Sequence, residues 1–257
     1  MLSQLTAGAL ADAKKRRELI SYSDLEAKID SAPPVRDALE ALAPAEHVKV
    51  LAEIKRASPS RGDLATISDP VSLAQVYEIA GASAISVLTE ERKFKGTLDD
   101  LAAVRAHVNL PVLRKDFIAE EYQILEARVA GADLVLLIVA ALDQSTLQRL
   151  HTFATQLGMS VLVETHDAQE VSRALEVDPK ILGINARSLS TFELDRDLFA
   201  ELSPGIPGGI IKVAESAVRD VTDVKHYRSA GADVVLVGEA LVIGDPGAML
   251  AEFLTVA

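Results

Sequence analysis

The chain has 257 residues, and its 49% hydrophobic and 25% charged side chains are a balance typical of a globular protein with a sizeable core. Its formal net charge of −12 at pH 7 disfavours a general attraction to nucleic acid or to anionic membranes, so we expect neither as a partner. The absence of cysteine excludes a disulfide framework, a thiolate nucleophile and a cysteine-bound metal.

The first 46 residues predict a helical extension. LTAGALADAKKRRELI (5–20) and SDLEAKIDSAPPVRDALEAL (23–42) predict two or three amphipathic helices, interrupted at Pro33-Pro34. Alone they hold too little core to fold, so we expect residues 1–46 to pack on the remainder within a single domain of residues 1–257. The N-terminus lacks the order of a signal peptide and no apolar run reaches membrane length, which predicts a cytoplasmic protein.

Three copies of one pattern predict buried parallel strands. They are AGASAISVL (80–88), AGADLVLLIV (130–139) and AGADVVLVG (230–238). In each copy a glycine follows a predicted helix, where a left-handed cap is common. The apolar run after it is hydrophobic on both faces, which is typical of a strand in a parallel sheet covered on both sides.

Five further apolar runs bring the number of predicted strands to eight. They are VKVLAEI (48–54), LPVLR (110–114), MSVLVE (159–164), ILGIN (181–185) and IIKVA (210–214). Helical patterns lie between strands, for example at 69–82, 120–132, 143–158 and 221–232. Eight strands alternating with helices over about 210 residues predict a (β/α)8 TIM barrel behind the helical extension. A doubly wound open sheet is the alternative, although no Gly-x-Gly-x-x-Gly turn follows any strand.

Charged and polar residues collect where the predicted strands end, which is where barrels of this kind carry their chemistry. The residues at these positions are Glu53, Lys55, Thr89, Glu90, Lys115, Glu164, Asn185, Arg187, Glu215, Ser216, Gly238 and Glu239. One such residue alone could form a simple ion pair at the rim. The convergence of many of them on one rim favours a chemical site.

In order and spacing, these segments resemble indole-3-glycerol phosphate synthases of tryptophan biosynthesis. The resemblance covers about residues 48–245 and rests on LAEIKRASPSRG, SVLTEERKFKG, PVLRKDFI, LLIVAAL, LVETH, GINARSL, VAES and VLVGEAL. The helical extension fits the family too. The resemblance implies closure of the indole ring of 1-(2-carboxyphenylamino)-1-deoxyribulose 5-phosphate, a phosphorylated small molecule, with loss of carbon dioxide and water and without a cofactor.

The resemblance also implies roles for the charged residues. Lys115 corresponds to the acid that protonates the ketone oxygen, provided that burial and neighbours lower its pKa toward the working pH. Glu164 and Lys55 correspond to residues for proton transfer in the dehydration, and the division of the two acid steps between the lysines stays open. Glu53 is expected to hold both lysines charged and oriented. The implied catalytic set also contains Asn185, Glu215 and Ser216.

Each part of the implied substrate has candidate partners. Arg187 offers a planar fork to the carboxylate, with Asn185 nearby. The phosphate is expected on the loops after the seventh and eighth strands; the residues assigned to it are Ser216, Ala217, Gly238 and Glu239, with Lys55 and Ser58 reaching across. The residues assigned to the ring pocket and adjoining surface are Pro59, Phe94, Phe117, Leu136, Ile138, Leu189 and Phe192. Core packing is an equal explanation for Leu136 and Ile138.

Several features depart from the pattern or carry weaker signals. Ala217 stands where the family usually has glycine, and a positive φ there would add about 1 kcal/mol of strain. The side chain of Glu239 is expected to turn away from the phosphate. The histidines show no metal-ligand spacing, so no metal site is predicted, and His166 is expected to be a solvated loop residue. The basic run 14–17 is expected to be a solvated helix face.

Three alternative functions remain open to different degrees. A class I aldolase would use Lys115 or Lys55 as a Schiff-base nucleophile. Phosphoribosylanthranilate isomerases share this fold, but that family relies on a Cys–Asp pair and this chain has no cysteine. A phosphosugar-binding protein with a relict site would lose Lys115 or Glu164 first, and both are present. We expect a monomer rather than an oligomer.

Overall fold

Eight parallel strands close into a barrel in the computed structural model, which describes residues 1–189 and 191–257. The strands are β1 (Lys49–Ile54), β2 (Ala84–Leu88), β3 (Val112–Lys115), β4 (Leu134–Ile138), β5 (Ser160–Thr165), β6 (Ile181–Asn185), β7 (Ile211–Glu215) and β8 (Val234–Val237). Each pairs with its neighbours in the chain, and β8 closes on β1 with Val234 opposite Lys49. The predicted (β/α)8 barrel is confirmed, and the open sheet is excluded.

Helices precede the barrel and alternate with its strands. They are α1 (Leu2–Leu19), α2 (Tyr22–Glu26), α3 (Ala38–Leu42), α4 (Pro70–Ile79), α5 (Leu98–His107), α6 (Glu121–Val129), α7 (Gln144–Gln156), α8 (Ala168–Leu175), α9 (Leu198–Leu202), α10 (Val221–Ser229), α11 (Glu239–Ile243) and α12 (Pro246–Phe253). Short 3-10 turns occur at Ile29–Ser31, Val139–Ala141 and Ser203–Gly205. None of the helices in the described part of the chain has the length and apolarity needed to cross a membrane.

Aspartate side chains define where many of these helices begin. An aspartate at the N-cap accepts a hydrogen bond from a first-turn N–H, which satisfies a donor that has no partner within the helix. Such caps are Asp37, Asp69, Asp143, Asp167, Asp220 and Asp245. The predicted helices 69–82, 143–158 and 221–232 therefore start within a residue of the observed ones and end two or three residues too late.

The Ala-Gly-Ala repeat ends a helix and begins the next strand, as predicted. Its glycines have φ of +93° at Gly81, +92° at Gly131 and +91° at Gly231, the left-handed conformation that favours glycine. In the second copy, Asp133 is fully buried and its Oδ2 accepts the N–H of Val112, 2.8 Å away. In the third, Asp233 accepts the N–H of Lys212 at 2.9 Å. Each aspartate lies just before one strand and accepts a hydrogen bond from the start of the preceding strand.

The N-terminal extension contacts both ends of the barrel. Leu5 on α1 packs into the interior cluster and lines the cavity at the C-terminal rim. Leu42 on α3 is fully buried in the same cluster, and the N–H of Arg36 donates to Asp133 just before β4. The expectation of a solvated basic face on α1 is wrong for Arg16, which forms two hydrogen bonds to buried Glu126, at 2.5 and 2.9 Å.

Candidate active site

A cavity of about 790 Å³ opens at the C-terminal rim of the barrel. It is lined by every residue to which the sequence gave a catalytic or binding role, which are Glu53, Lys55, Ser58, Pro59, Phe94, Lys115, Phe117, Leu136, Ile138, Glu164, Asn185, Arg187, Leu189, Phe192, Glu215, Ser216, Ala217, Gly238 and Glu239. Thr89 and Glu90, also predicted at strand ends, bond instead to Asp116 and to backbone N–H groups of the loop after β2. The lining residues come from every part of the barrel sequence. Closure of the barrel brings them together, because parallel strands direct all their C-terminal ends to one rim.

Glu53 and Lys55 form an ion pair at the end of β1. Lys55 Nζ lies 2.6 Å from Glu53 Oε1, and the glutamate is buried. Gly238, just past β8, leaves room for this carboxylate, because a Cβ at that position would lie 2.3 Å from Glu53 Oε1. The pairing with Lys55 agrees with the predicted role of Glu53. No hydrogen bond joins Glu53 to Lys115, on which it acts through its charge alone.

Lys115 ends β3 and lies between two buried glutamates. Its Nζ is 2.6 Å from Glu215 Oε2 and 3.1 Å from Glu164 Oε2. Burial alone would lower the pKa of Lys115, but the nearby carboxylates, Glu164 foremost, outweigh it and raise the pKa above its ordinary value. The expected lowering of this pKa is wrong. Lys115 is therefore a fully charged ammonium that is held in one orientation.

The pKa values of the two glutamates beside Lys115 shift in opposite directions. Burial and the nearby charge of Glu164 raise the pKa of Glu215 to about 8, despite the contact with Lys115. Burial also opposes ionisation of Glu164, but Lys115, His166 and Asn185 outweigh it and hold its pKa well below the usual range. These opposite shifts favour ionisation of Glu164 over that of Glu215, a difference that suits separate proton-transfer roles.

His166 is not the solvated residue that the sequence suggested. Its side chain is 11% exposed, with Nε2 3.2 Å from Glu164 Oε1 and Nδ1 3.1 Å from Glu170 Oε2. The same Glu170 oxygen accepts the backbone N–H of His166 at 2.8 Å. A signal was present in the sequence: the aspartate cap at Asp167 places Glu170 in the first turn of α8, within reach of the residue before the cap.

The loop after β7 carries two consecutive residues in the left-handed conformation. Ser216 has φ +68° and Ala217 has φ +59°, so the positive φ that would strain Ala217 is present. Ser216 Oγ donates to Asn185 Oδ1 at 2.8 Å, while Asn185 Nδ2 donates to Glu164 Oε1 at 3.1 Å. The side-chain amide of Asn185 therefore orients the buried carboxylate of Glu164.

Arg187 follows β6 at the rim, whereas Phe94 and Phe117 follow β2 and β3. Among the residues that the structure describes, no carboxylate is within ion-pair distance of the Arg187 guanidinium, and Nη1 donates to the backbone oxygen of Phe192 at 3.4 Å. The rings of Phe94 and Phe117 pack at 6.0 Å between centroids with a 42° tilt. The guanidinium of Arg187 and the ring pair of Phe94 and Phe117 thus both line the cavity.

Three arginines at this cavity were missed by the sequence analysis. Arg61 Nη2 pairs with Glu239 Oε1 at 2.9 Å. That the Glu239 side chain turns away from a bound phosphate stays a prediction. Arg196 and Arg219 both pair with buried Asp223 on α10. No local pattern marks Arg61 or Arg196, whose partners are distant in the chain, whereas Arg219 lies four residues before Asp223. With them, six basic and five acidic side chains line the cavity of a chain whose net charge is −12.

Within residues 1–189 and 191–257, no three or more His, Asp or Glu side chains are grouped in a way that could hold a metal ion. The acidic residues of the cavity instead contact basic side chains. The chemistry that the site offers is proton transfer between ammonium groups and carboxylates.

Comparisons with known proteins bear on this cavity. The family model described as indole-3-glycerol phosphate synthase matches residues 2–252. The chain is 62% identical over 253 residues to the indole-3-glycerol phosphate synthase of Leifsonia xyli subsp. xyli, covering 98% of this chain and 97% of that one. It is 53% identical over 256 residues to that of Mycobacterium avium, covering 99% and 94%. A solved thiamine phosphate pyrophosphorylase from Pyrococcus furiosus matches with a TM-score of 0.62 at 12% identity, over 80% of this chain and 93% of that one, which is a likeness of fold alone.

Proposed function

Since this chain belongs to the indole-3-glycerol phosphate synthase family, we propose that its rim cavity closes the indole ring with two separate lysine–carboxylate groups. The activity is that of a carboxy-lyase of tryptophan biosynthesis acting on a phosphorylated small molecule. The substrate implied by the sequence motifs is 1-(2-carboxyphenylamino)-1-deoxyribulose 5-phosphate. The roles of individual residues below are our proposal.

Lys115 serves ring closure. As the aromatic carbon that bears the carboxylate attacks the ketone carbon, a carbon–carbon bond forms and the ketone oxygen takes a proton from Lys115 Nζ. The raised pKa of Lys115 does not prevent this transfer, because the oxygen becomes an alkoxide that is more basic than the amine. The carboxylate then leaves as carbon dioxide, and the electron pair of the broken bond restores the aromatic ring. Glu215, protonated and 2.6 Å from Lys115 Nζ, is placed to return a proton to the lysine.

Lys55 and Glu164 serve the dehydration. Lys55 protonates the hydroxyl group, which leaves as water, and Glu164 removes the remaining proton from the neighbouring ring carbon. Glu53, 2.6 Å from Lys55 Nζ, keeps that lysine charged and oriented. Two lysines in separate carboxylate contacts support one acid for each step, which leaves neither lysine to act twice.

The two anionic parts of the substrate bind at different residues of the cavity rim. Arg187 has no carboxylate partner among the described residues, and its guanidinium binds the substrate carboxylate with two parallel N–H donors. The phosphate lies against the loops after β7 and β8, near Ser216, Ala217 and Gly238, with Ser58 and Lys55 across from them. The aromatic ring packs against Phe94 and Phe117.

The contact of Lys115 with both Glu164 and Glu215 is the observation that carries this proposal. It also weighs against a Schiff-base aldolase, because a nucleophilic lysine must lose its proton and these carboxylates hold the proton on.

Mixing the purified protein with the carboxyphenylamino-deoxyribulose phosphate tests the proposal directly. We expect indole fluorescence to appear with release of one carbon dioxide per product. Borohydride added during turnover should leave the protein mass unchanged. A covalent adduct on Lys115 or Lys55 would instead support the aldolase mechanism, and a protein that binds the substrate without turnover would support a relict site.

A further inference from the structure

His166 bridges the proposed base Glu164 and a second carboxylate that faces away from the substrate. It follows β5 by one residue, and its two ring nitrogens contact Glu164 on β5 and Glu170 on α8 at 3.2 and 3.1 Å. Glu170 is itself fixed, because its backbone N–H donates to the cap Asp167 at 2.8 Å. The imidazole is therefore held through Nδ1 by Glu170, while its buried Nε2 lies at ion-pair distance from Glu164 without a hydrogen bond.

This geometry assigns a charge to the ring. A neutral imidazole has one N–H and one lone pair, so it would direct the lone pair at a carboxylate on one side. With a carboxylate facing each nitrogen, the imidazolium form has a favourable contact at both. Burial lowers the pKa of His166, but contacts with Glu164 and Glu170 outweigh it and raise the pKa to about 10.

The charge on His166 acts on a crowded carboxylate. Glu164 faces Lys115 from β3, Asn185 from β6 and Glu215 from β7, besides His166 itself. Glu215 and Glu164 compete for the same proton, because two adjacent buried carboxylates cannot both ionise cheaply. A cation on the Glu164 side decides the competition in favour of ionised Glu164.

We propose that His166, as an imidazolium held by Glu170, is a positioning residue that keeps Glu164 ionised as the base and leaves the shared proton on Glu215. This inference rests on the proposed role of Glu164. His166 transfers no proton to the substrate; it acts through Glu164.

Variants at position 166 separate charge from packing. His166→Gln keeps a neutral N–H donor near Glu164, and we expect kcat to fall about tenfold with KM within about threefold. His166→Lys restores a cation and should recover most of that loss. A residue that only packs would not distinguish the neutral from the charged replacement, so equal kcat values for the two variants would overturn the proposal.

Glu170→Gln gives a second test through pH. Removing that carboxylate lowers the pKa of His166 toward its ordinary value, so the ring loses its charge at a pH where the wild type keeps it. The ratio of kcat in Glu170→Gln to wild-type kcat should be near one at pH 6 and fall about tenfold by pH 9. In the double variant with His166→Gln, the Glu170 change should cost nothing more. A ratio that stays flat with pH contradicts the inference.

Two measurements keep this test independent of folding defects and of turnover. His107→Gln changes an exposed histidine on α5 and is the matched control. The ratio of its kcat to wild-type kcat should stay at one across the pH range. NMR of the imidazole nitrogens in the wild-type protein should show His166 doubly protonated at pH 7.5. A neutral ring there would overturn the inference even if turnover is normal, whereas a charged ring in a protein without turnover would leave only the proposed function wrong.

Discussion

At the scale of single residues, the site depends on which carboxylate each lysine contacts. Among the described residues, Lys55 pairs only with Glu53, whereas Lys115 contacts Glu164 and Glu215. Two glycines make these contacts possible, since a Cβ at Gly238 would lie 2.3 Å from Glu53 Oε1 and one at Gly183 2.2 Å from Glu215 Oε1. Small residues on the strands thus give the buried carboxylates their space.

Lys115→Ala should abolish ring closure and leave substrate affinity within about tenfold, because its proton is needed mainly in the transition state. Single-turnover fluorescence would measure the rate and equilibrium titration the affinity. Lys180→Ala, which removes an exposed lysine paired only with Asp178, is the control. Retention of more than a few per cent of wild-type turnover in Lys115→Ala would show that another group is the principal acid.

Arg187→Lys should raise KM more than it lowers kcat, because a point charge replaces a planar fork at the substrate carboxylate. Steady-state kinetics would measure both constants. The same change at Arg149, an exposed arginine paired with Glu121, should leave them unaltered. If KM is the same in Arg187→Lys as in wild type, the carboxylate is bound elsewhere.

At the scale of elements, the loop after β7 combines function with backbone strain. Ser216 and Ala217 both have positive φ, which costs about 1–2 kcal/mol for a residue that carries a Cβ. The hydroxyl of Ser216 bonds to Asn185, so this conformation is tied to the position of a side chain in the site. The strain is therefore located where the proposed phosphate site lies.

Ala217→Gly should stabilise the protein by about 0.5–1 kcal/mol, because relief of strain exceeds the entropy that glycine adds to the unfolded chain. Denaturant unfolding would measure the change in free energy. Ala11→Gly, at an exposed position within α1, should change stability with the opposite sign. A loss of stability in Ala217→Gly would mean that the loop carries no strain at this residue.

At the scale of the whole molecule, the N-terminal extension bears on stability and the distribution of charge bears on ligand binding. Helices α1 and α3 contact opposite ends of the barrel, and Arg36 on the connecting segment shares Asp133 with the start of β3. Around the cavity, basic side chains slightly outnumber acidic ones although the chain is strongly negative. Binding of a polyanion must therefore come from the short-range site rather than from the protein's overall field.

Deletion of residues 1–46 should prevent cooperative unfolding of the remainder, because it uncovers the interior cluster and removes the Arg36 donor from buried Asp133. Circular dichroism through a denaturant titration would measure the transition. We propose on this basis that the extension and barrel form one folding unit. A truncated chain that unfolds cooperatively near the full-length midpoint would contradict it.

Inorganic phosphate should compete with the substrate at millimolar levels and bind between the loops after β7 and β8. Gly238→Val should weaken both ligands, because its side chain would displace the Glu53 carboxylate and obstruct the backbone. Inhibition kinetics would measure the competition, and Gly208→Val, where a Cβ meets nothing within 4 Å, is the control. Phosphate affinity that is unchanged in Gly238→Val, or an anion bound at residues 14–17, would exclude this site.

The barrel follows from local signals in the sequence. The Ala-Gly-Ala repeat specifies left-handed helix ends, aspartate caps specify helix starts, and apolar runs hydrophobic on both faces specify buried parallel strands. The sequence also predicts which residues gather at the rim, since the order of strands places each C-terminal end there.

The ionisation of these residues and the contacts that they make depend on the tertiary structure. Lys115 contacts glutamates 49 and 100 residues away, and the sum of those contacts, not burial alone, sets the direction of its pKa. Arg61 and Arg196 stayed hidden for the same reason: an ion pair depends on a distance through space, which no local pattern contains. His166 and Arg219 differ, because each has a carboxylate partner four residues later in the chain, at Glu170 and Asp223.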